Sequence, residues 1–411
     1  MAYQSIGTPK FYIDYFSYWQ TKGLIQKLHS DEIGGTYMMG YYIGLNPSSP
    51  AKIIKVFDDR MGLSYFVVDL TWGKLLSQSE LELINFCGVL GHDINKAPMD
   101  SPTHSSSAIK FSAHKRPEEN AHAVSGENRG IFNMGDSIIN AEFNDNFSNP
   151  YLHAQTKLPK SGFSLWNCEL GYQEATDDEN NAILGNADRF SMALQFYDTE
   201  GLYMQNYGGL WNVNSLVLGH TYKMPHSPDL KVTMAIDYDG FDSTDTTGGS
   251  TITNVRYTGA PKWNDLNAWQ IGNSESLAER GGRRSWSLKF SYLAGKDLFS
   301  SNYMANRYAN LEDTENNLDT YTTNDDAGTV YQEESEHFGE EGFTYTLADD
   351  DSFIARVLNY VGNGTRFIFQ PDSNMSNPSD FAICVVDQDS IKITQVANNV
   401  YDISLKIREV W

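Results

Sequence analysis

Short runs of apolar and aromatic residues alternate with polar residues over most of the chain, and turn-forming residues separate the runs. Between residues 130 and 260 the turn signals recur about every ten residues, a spacing typical of β-sandwiches and jelly rolls. The clearest runs occupy 163–172, 189–198, 207–222 and 229–241. Alternation of this kind predicts strands with one buried face. The central part of the chain is therefore expected to be an all-β domain.

The C-terminal third predicts strands around one helix. The segment RRSWSLKFSYL (283–293) is expected to be a strand. Four of its large side chains fall on one face, namely Trp286, Leu288, Phe290 and Tyr292. Residues 352–365 suit an amphipathic helix that ends at Gly362, and residues 366–372 suit the strand that follows it. Two or three closing strands are expected within 381–411.

The N-terminal third is less regular. The first 30 residues fit either a strand or a short amphipathic helix, and periodicity alone does not decide between them. Residues 52–70 predict two strands joined across 58–62. Residues 79–96 suit a single helix. Residues 100–128 have little apolar periodicity, so we expect a long surface loop there.

Composition and charge narrow the classes of partner. Aromatic residues make up 13% of the 411 residues, a share that indicates packed cores rather than global disorder. The formal net charge at pH 7 is −23. Such a chain lacks the positive face that nucleic-acid binders and polybasic membrane-surface proteins need. No apolar run approaches the ~18 residues of a membrane-spanning helix. We therefore expect neither specific nucleic-acid binding nor membrane insertion.

One segment concentrates the negative charge. Residues 308–355 contain 14 acidic side chains and no Lys or Arg. Self-repulsion resists compaction of such a run, so it is expected to be an extended arm that is solvated or docked on a partner.

No motif in the sequence assigns a catalytic residue. Phosphate loops, dinucleotide fingerprints, nucleophile elbows and zinc-protease motifs are missing, so neither an enzyme nor a cofactor is expected. The widely spaced Cys87, Cys168 and Cys384 are interpreted as small buried apolar groups. His220 and His226 are interpreted as hydrogen-bonded surface or interface histidines.

One acidic turn is the candidate metal site. Its carboxylates occupy nearly alternate positions around a glycine, at Asp237, Asp239, Asp242 and Asp245. Such carboxylates could converge on a hard cation such as calcium. The closing glutamate of an EF-hand loop is missing, and an Asp-capped turn between two strands explains the same residues.

Aromatic residues of the central region are candidates for sugar binding. The set comprises Trp166, Tyr207, Trp211, Trp263 and Trp269. Exposed in a row, such rings could stack on sugars, whereas the alternative is that they are core or interface aromatics. A buried set would remove the sugar-binding interpretation.

Three segments near the C-terminus resemble the closing part of tailed-bacteriophage virion structural proteins. They are RRSWSLKFSYL, RFIFQPD after a loop and a helix, and the ending VYDISLKIREVW. Their order is similar to that of tail-tube-like split barrels and of the distal-tail and tail-tip ring proteins built on them. The opening GTPKFYIDYFSYW is also similar to the starts of virion proteins from marine phages.

The residue pattern and this resemblance together predict a mainly β (α+β) fold with a few helices, divided into three parts. These are a β-rich part with one helix and a long loop (1–130), a β-sandwich or jelly-roll-like domain (131–282), and a tail-tube-like split β-barrel that carries the acidic arm (283–411). The implied function is that of a structural subunit forming a ring in the tail, distal tail or baseplate.

The resemblance also implies partners and a location. The chain would associate with itself, as a hexamer or a multiple of a trimer, and with other tail proteins. It would be assembled in the host cytoplasm and reside in the virion. The alternative function is a carbohydrate-binding or receptor-adsorption module of the virion, with a host surface glycan as its ligand.

Overall fold

A computed structural model describes residues 6–30, 45, 52–56, 63–71, 74–76, 78–90, 104–114, 129–138, 163–173, 187–198, 209–213, 215–230, 232–238, 241–255, 262–263, 266–267, 282–299, 351–362, 364–376 and 380–410. Within these residues strands far outnumber helices, so the protein belongs to the mainly β class.

The strands are β1 (Lys10–Asp14), β2 (Ile25–Ser30), β3 (Lys52–Val56), β4 (Leu63–Leu70), β5 (Phe86–Leu90), β6 (His104–His114), β7 (Arg129–Ser137), β8 (Phe163–Gln173), β9 (Arg189–Asp198), β10 (Gly209–Val213), β11 (Ser215–Lys223), β12 (Thr233–Asp237), β13 (Phe241–Asp245), β14 (Thr251–Val255), β15 (Lys262–Trp263), β16 (Leu266–Asn267), β17 (Arg283–Ala294), β18 (Phe367–Gln370), β19 (Ala382–Val386), β20 (Lys392–Ala397) and β21 (Val400–Glu409). The helices are α1 (Tyr15–Thr21), α2 (Gln78–Glu82), α3 (Gly295–Leu298) and α4, which is π-helical over Ile354–Leu358 and α-helical over Asn359–Val361.

Fifteen of the strands form one antiparallel sheet. Hydrogen-bonded neighbours follow the order β12-β17-β21-β19-β18-β1-β11-β5-β8-β7-β6-β9-β4-β2, and β20 pairs with β21 beside this path. Among the described strands, β12 and β2 do not pair with each other, so the sheet is open. Strands from 1–130, 131–282 and 283–411 all contribute to it, and the predicted boundaries between these parts stay predictions.

The N-terminal strand β1 connects the C-terminal strands to the central ones. It pairs with β18 on one side and with β11 on the other. At its end, the Asp14 carboxylate caps α1 by accepting the backbone N–H of Ser17 at 2.8 Å. It also accepts the N–H of Leu218 in β11 at 3.1 Å. The first 30 residues thus contain both a strand and a helix, the two structures that the apolar pattern left open.

Both faces of the middle of the sheet are buried. Phe11 and Ile13 belong to a larger apolar cluster, and Tyr12 between them belongs to a second cluster on the opposite face. Strands buried on both faces are near-continuous apolar runs rather than alternating ones. This explains why β5, at the centre of the sheet, has the sequence FCGVL and is buried throughout.

The predicted helix over 79–96 is therefore wrong beyond its first turn. Of the residues in this range that the structure describes, 79–90, only those in α2 (Gln78–Glu82) are helical, and the chain then enters β5 between β11 and β8. A short apolar run without polar interruptions fits a helix and a doubly buried strand equally well. Pairing with β11 and β8 stabilises this run as a strand.

The predicted long loop over 100–128 is wrong where the structure describes it. Residues 104–114 form β6, which pairs with β9 over ten positions and also with β7. Its serines interrupt the apolar alternation of Ile109, Phe111 and Ala113. Phe111, Ser112 and Ala113 are all buried. Two flanking strands thus stabilise a segment of modest apolar content.

The predicted face of β17 is correct for three of its four side chains. Trp286, Leu288 and Phe290 are buried, whereas Tyr292 is exposed. A β-bulge after Phe290 shifts the alternation by one residue and turns Tyr292 outward.

Other expectations are confirmed. Strands occupy most of the described residues of the four central runs and of the closing segments, and α4 ends at Gly362, whose φ is 46°. Cys87, Cys168 and Cys384 are buried and free. Of the acidic arm, residues 308–350 lie outside the described residues.

We expect Gly219→Ala to lower the free energy of unfolding by about 1–3 kcal/mol, the usual cost of overpacking. A Cβ atom at Gly219 would collide with the backbone carbonyl of Ile13 in β1, which is held by pairing on both sides. Urea unfolding measures the change. Gly248→Ala is the control, because only the Thr246 side chain lies near that position, at 4.0 Å. Equal losses for the two variants would contradict this account.

Candidate functional site

The outermost strand of the sheet, β12, is exposed along its whole length. One side pairs with β17 over five positions, yet all five residues of Thr233–Asp237 are exposed. Among the described residues no strand pairs with the other side of β12. An edge strand presents free N–H and C=O groups, on which a further strand can be added.

The apolar side chains of β12 lie on the same face of the sheet as buried side chains of β17, but they are exposed to solvent. Met234 lies opposite Trp286 and Ile236 lies opposite Arg284, and both β17 residues are buried. Directly opposite residues share a face of the sheet. Tyr238 follows at the next alternate position and is also exposed. We call Met234, Ile236 and Tyr238 the β12 row.

Beyond β12 the chain forms a β-hairpin outside the main sheet. Strands β13 and β14 pair over five positions, and both Phe241 and Ile252 are more than half exposed. The Thr246 N–H donates to the Ser250 carbonyl at 2.8 Å and closes the turn. An isolated hairpin is at best marginally stable, and exposed apolar groups of this size mark interaction surfaces. The β12 row is the candidate self-association surface, and the hairpin is a second exposed apolar element that follows it in the chain.

The structure does not assemble the proposed calcium site from the residues it describes. Asp237 lies on β12, whereas Asp242 and Asp245 lie on β13. Because they are three positions apart on one strand, Asp242 and Asp245 point to opposite faces. Asp245 instead accepts the Thr251 hydroxyl at 2.7 Å. Asp239 lies outside the described residues, and within them no three His, Cys, Asp or Glu side chains group as metal ligands.

The candidate sugar-stacking residues do not form a described surface row. Trp166 is 1% exposed in the core, so its ring is not available to a ligand. Trp211 and Trp263 lie on β10 and β15, with side chains outside the described part of the structure. Tyr207 and Trp269 lie outside the described residues altogether. For Trp166, the interpretation as a core aromatic is therefore correct.

A buried polar network that the sequence did not indicate connects three elements of the core. His220 of β11 is buried, contrary to its interpretation as a surface or interface residue. Its Nε2 lies 2.7 Å from the Arg356 carbonyl, which only accepts, so Nε2 carries the proton. Its Nδ1 then accepts the Tyr15 hydroxyl at 2.8 Å. Burial lowers the pKa of His220 to about 3, so the ring is neutral.

The signal for this network was present in the alternation along β11. His220 falls on the inward face with Leu216, Leu218 and Tyr222. The network joins α1, β11 and α4, and Arg356 itself donates to Asp351 at 2.7 Å. All partners of the imidazole belong to the core, so the network stabilises the fold and leaves the β12 row as the surface feature in need of a partner.

Comparisons with known proteins found no relative of this chain: no protein-family model, no curated protein and no solved structure matches it.

In the part of the chain that the structure describes, every helix is too short or too polar to cross a lipid bilayer.

Proposed function

We propose that this protein is a structural subunit of a bacteriophage virion that associates with itself to form a ring in the tail or tail tip. The observation that carries the proposal is the β12 row. It extends the apolar face of a large sheet beyond β17, beside a strand edge with which no described strand pairs. A second copy of the chain is the partner that this surface fits best.

The two ends of the sheet support repeated contacts between copies. Among the described strands, β12 ends the sheet on one side and β2 ends it on the other. Joining the β12 end of one copy to the β2 end of the next is a head-to-tail contact, which closes into a ring when the rotation between copies allows it. Pairing of this kind continues the backbone hydrogen bonds of the sheet across the interface.

The finer fold and the location belong to the same proposal. The C-terminal resemblance supports a tail-tube-like split barrel over 283–411, and the strand spacing supports a jelly-roll-like domain over 131–282. The charge of −23 agrees with a ring whose bore does not retain DNA, because like charges repel the phosphates. Other tail proteins would contact the ring, and no step of this role requires catalysis.

We expect Ile236→Asp to weaken self-association at least about tenfold, since an interface would have to bury an unpaired charge. Val396→Asp on β20 is the matched control, because Val396 is 48% exposed and Ile236 is 49% exposed. Sedimentation velocity over a concentration series, at physiological ionic strength, measures the association of each variant. Unchanged association of the Ile236 variant, or equal losses for both variants, would contradict the assignment of the β12 row.

A further inference from the structure

A polar groove of about 350 Å³ lies on the outer face of β17, β21 and β20, away from the β12 row. Its lining is formed by Lys289, Gln388, Ser390, Lys392, Thr394, Asp402 and Ser404. The opposite face of the same strands packs in the core, through Leu288, Phe290 and Ile403 among others. The groove is therefore an open polar surface on a rigid support.

The strand register arranges the lining side chains in two rows. Ser404 lies opposite Lys289 on one side and opposite Lys392 on the other. Asp402 lies opposite Thr394 in the next row. Directly opposite side chains are about 5 Å apart. Each row therefore presents hydrogen-bonding groups across a width of about two strand spacings, or roughly 10 Å.

A bulge in β17 places an aromatic ring beside these rows. After Phe290, both Ser291 and Tyr292 oppose Asp402. The Tyr292 N–H donates to the Asp402 carboxylate at 3.3 Å, and the Ser291 hydroxyl donates to Asp229 at 2.7 Å. These contacts hold Tyr292 at a φ of 63°, a conformation that bulky residues rarely adopt. Its side chain is 81% exposed.

The charges in the groove are only partly paired. The Lys289 ammonium lies 2.9 Å from an Asp402 oxygen, and it lowers the pKa of that carboxyl group. Lys392 forms no ion pair with any residue that the structure describes. A carboxylate, several hydroxyl groups and the Lys392 ammonium group thus line the groove, and the exposed Tyr292 lies on the bulge next to Asp402.

We propose that this groove binds an acidic saccharide. The hydroxyl groups of Ser390, Thr394 and Ser404, together with Asp402, match the hydroxyl groups of a sugar. Lys392 matches a sugar carboxylate, and the Tyr292 ring offers an apolar face for stacking. Strained backbone that exposes a large side chain is typical of ligand sites.

A phosphate ligand fits these groups less well. A phosphate dianion has no hydrogen-bond donor to offer Asp402, whereas sugar hydroxyl groups donate to that carboxylate while the single sugar carboxylate lies at Lys392, one row away. An aromatic ring adds nothing to phosphate binding. Saccharide binding at this groove goes beyond self-association, which uses a different surface.

The test uses tetragalacturonate and its fully methyl-esterified form as a matched pair of probes. They share their hydroxyl groups and differ in charge. We expect isothermal titration calorimetry to detect binding of the acid. We expect the ester to bind at least about tenfold more weakly than the acid. Tyr292→Ala is expected to weaken binding of the acid about tenfold, the loss of one stacking contact. Lys392→Gln is expected to abolish the preference for the acid over the ester.

Two variants outside the groove serve as controls. Tyr238→Ala removes an exposed ring of the β12 row, and Lys296→Gln removes an exposed lysine of α3. Both are expected to bind the acid as the unaltered protein does, whatever their state of association. Absence of binding, equal binding of acid and ester, undiminished binding by the Tyr292 variant, or displacement of the acid by equimolar inorganic phosphate would each overturn the proposal.

Discussion

Glu409→Ala is expected to lower the free energy of unfolding by about 3–5 kcal/mol, because it removes the buried carboxylate that pairs with the buried Arg284 guanidinium. Arg284 of β17 donates from Nε to one Glu409 oxygen at 2.9 Å and from Nη2 to the other at 2.8 Å. The same Nη2 donates to the Phe381 carbonyl at 2.7 Å. The Glu409 side chain is fully buried. The pair thus joins β17, β21 and the start of β19.

Urea unfolding with a second, milder variant keeps this prediction testable. Glu409→Gln preserves the shape of the side chain and is expected to lose less than the alanine variant. Asp387→Ala is the control, because Asp387 pairs with Lys406 and Arg408 at the surface and its loss should cost less than about 1 kcal/mol. A loss for Glu409→Ala as small as that of the control would show that the ion pair contributes little.

The second prediction is that the fold loses stability in acid through His220. Burial lowers its folded pKa to about 3, whereas an unfolded histidine has a pKa near 6.5. Between these values the unfolded chain binds the additional proton. The contribution of His220 to the free energy of unfolding is therefore fully present above about pH 6.5. It is lost as the pH falls toward 3, by up to about 4–5 kcal/mol. Protonated Nδ1 could no longer accept the Tyr15 hydroxyl.

The measurement must separate the effect of His220 from that of Asp14, a carboxyl group whose contribution to stability changes with pH in the opposite direction. Burial raises the pKa of Asp14 to about 6, so its contribution to stability falls as the pH rises from about 4 to 6. Comparing the unaltered protein with His220→Gln at each pH cancels the Asp14 contribution. The variant is expected to be less stable near pH 7 and to lose less stability on acidification. His226→Gln is the control, and a variant curve parallel to that of the unaltered protein would refute the role of His220.

Strand positions were predictable where alternation was strong and one face was exposed. The run that became β8 shows this, as do β17 and β21. Prediction failed where both faces are buried, as in β5, because a continuous apolar run carries no period. It failed again in β6, whose small polar residues are held by pairing with distant strands.

The candidate sites were harder to predict because a single sequence does not show what covers a side chain. Trp166 fitted either a sugar-stacking or a core aromatic and lies in the core, whereas Tyr292 was expected on the buried face and is exposed. One inserted residue in a strand reverses every face that follows it. The β12 row had the pattern of an ordinary half-buried strand, and only the sheet order shows that nothing described covers it.

The mass of the unaltered protein in solution is the first measurement to make, because it shows whether the chain associates with itself into a ring. Multi-angle light scattering at physiological ionic strength, followed by cryo-electron microscopy of the same fraction, gives the number of subunits and their arrangement. We expect closed rings in which β12 of each copy lies at a subunit interface. A monomer at every concentration tested, or an assembly in which β12 stays exposed to solvent, would contradict this expectation.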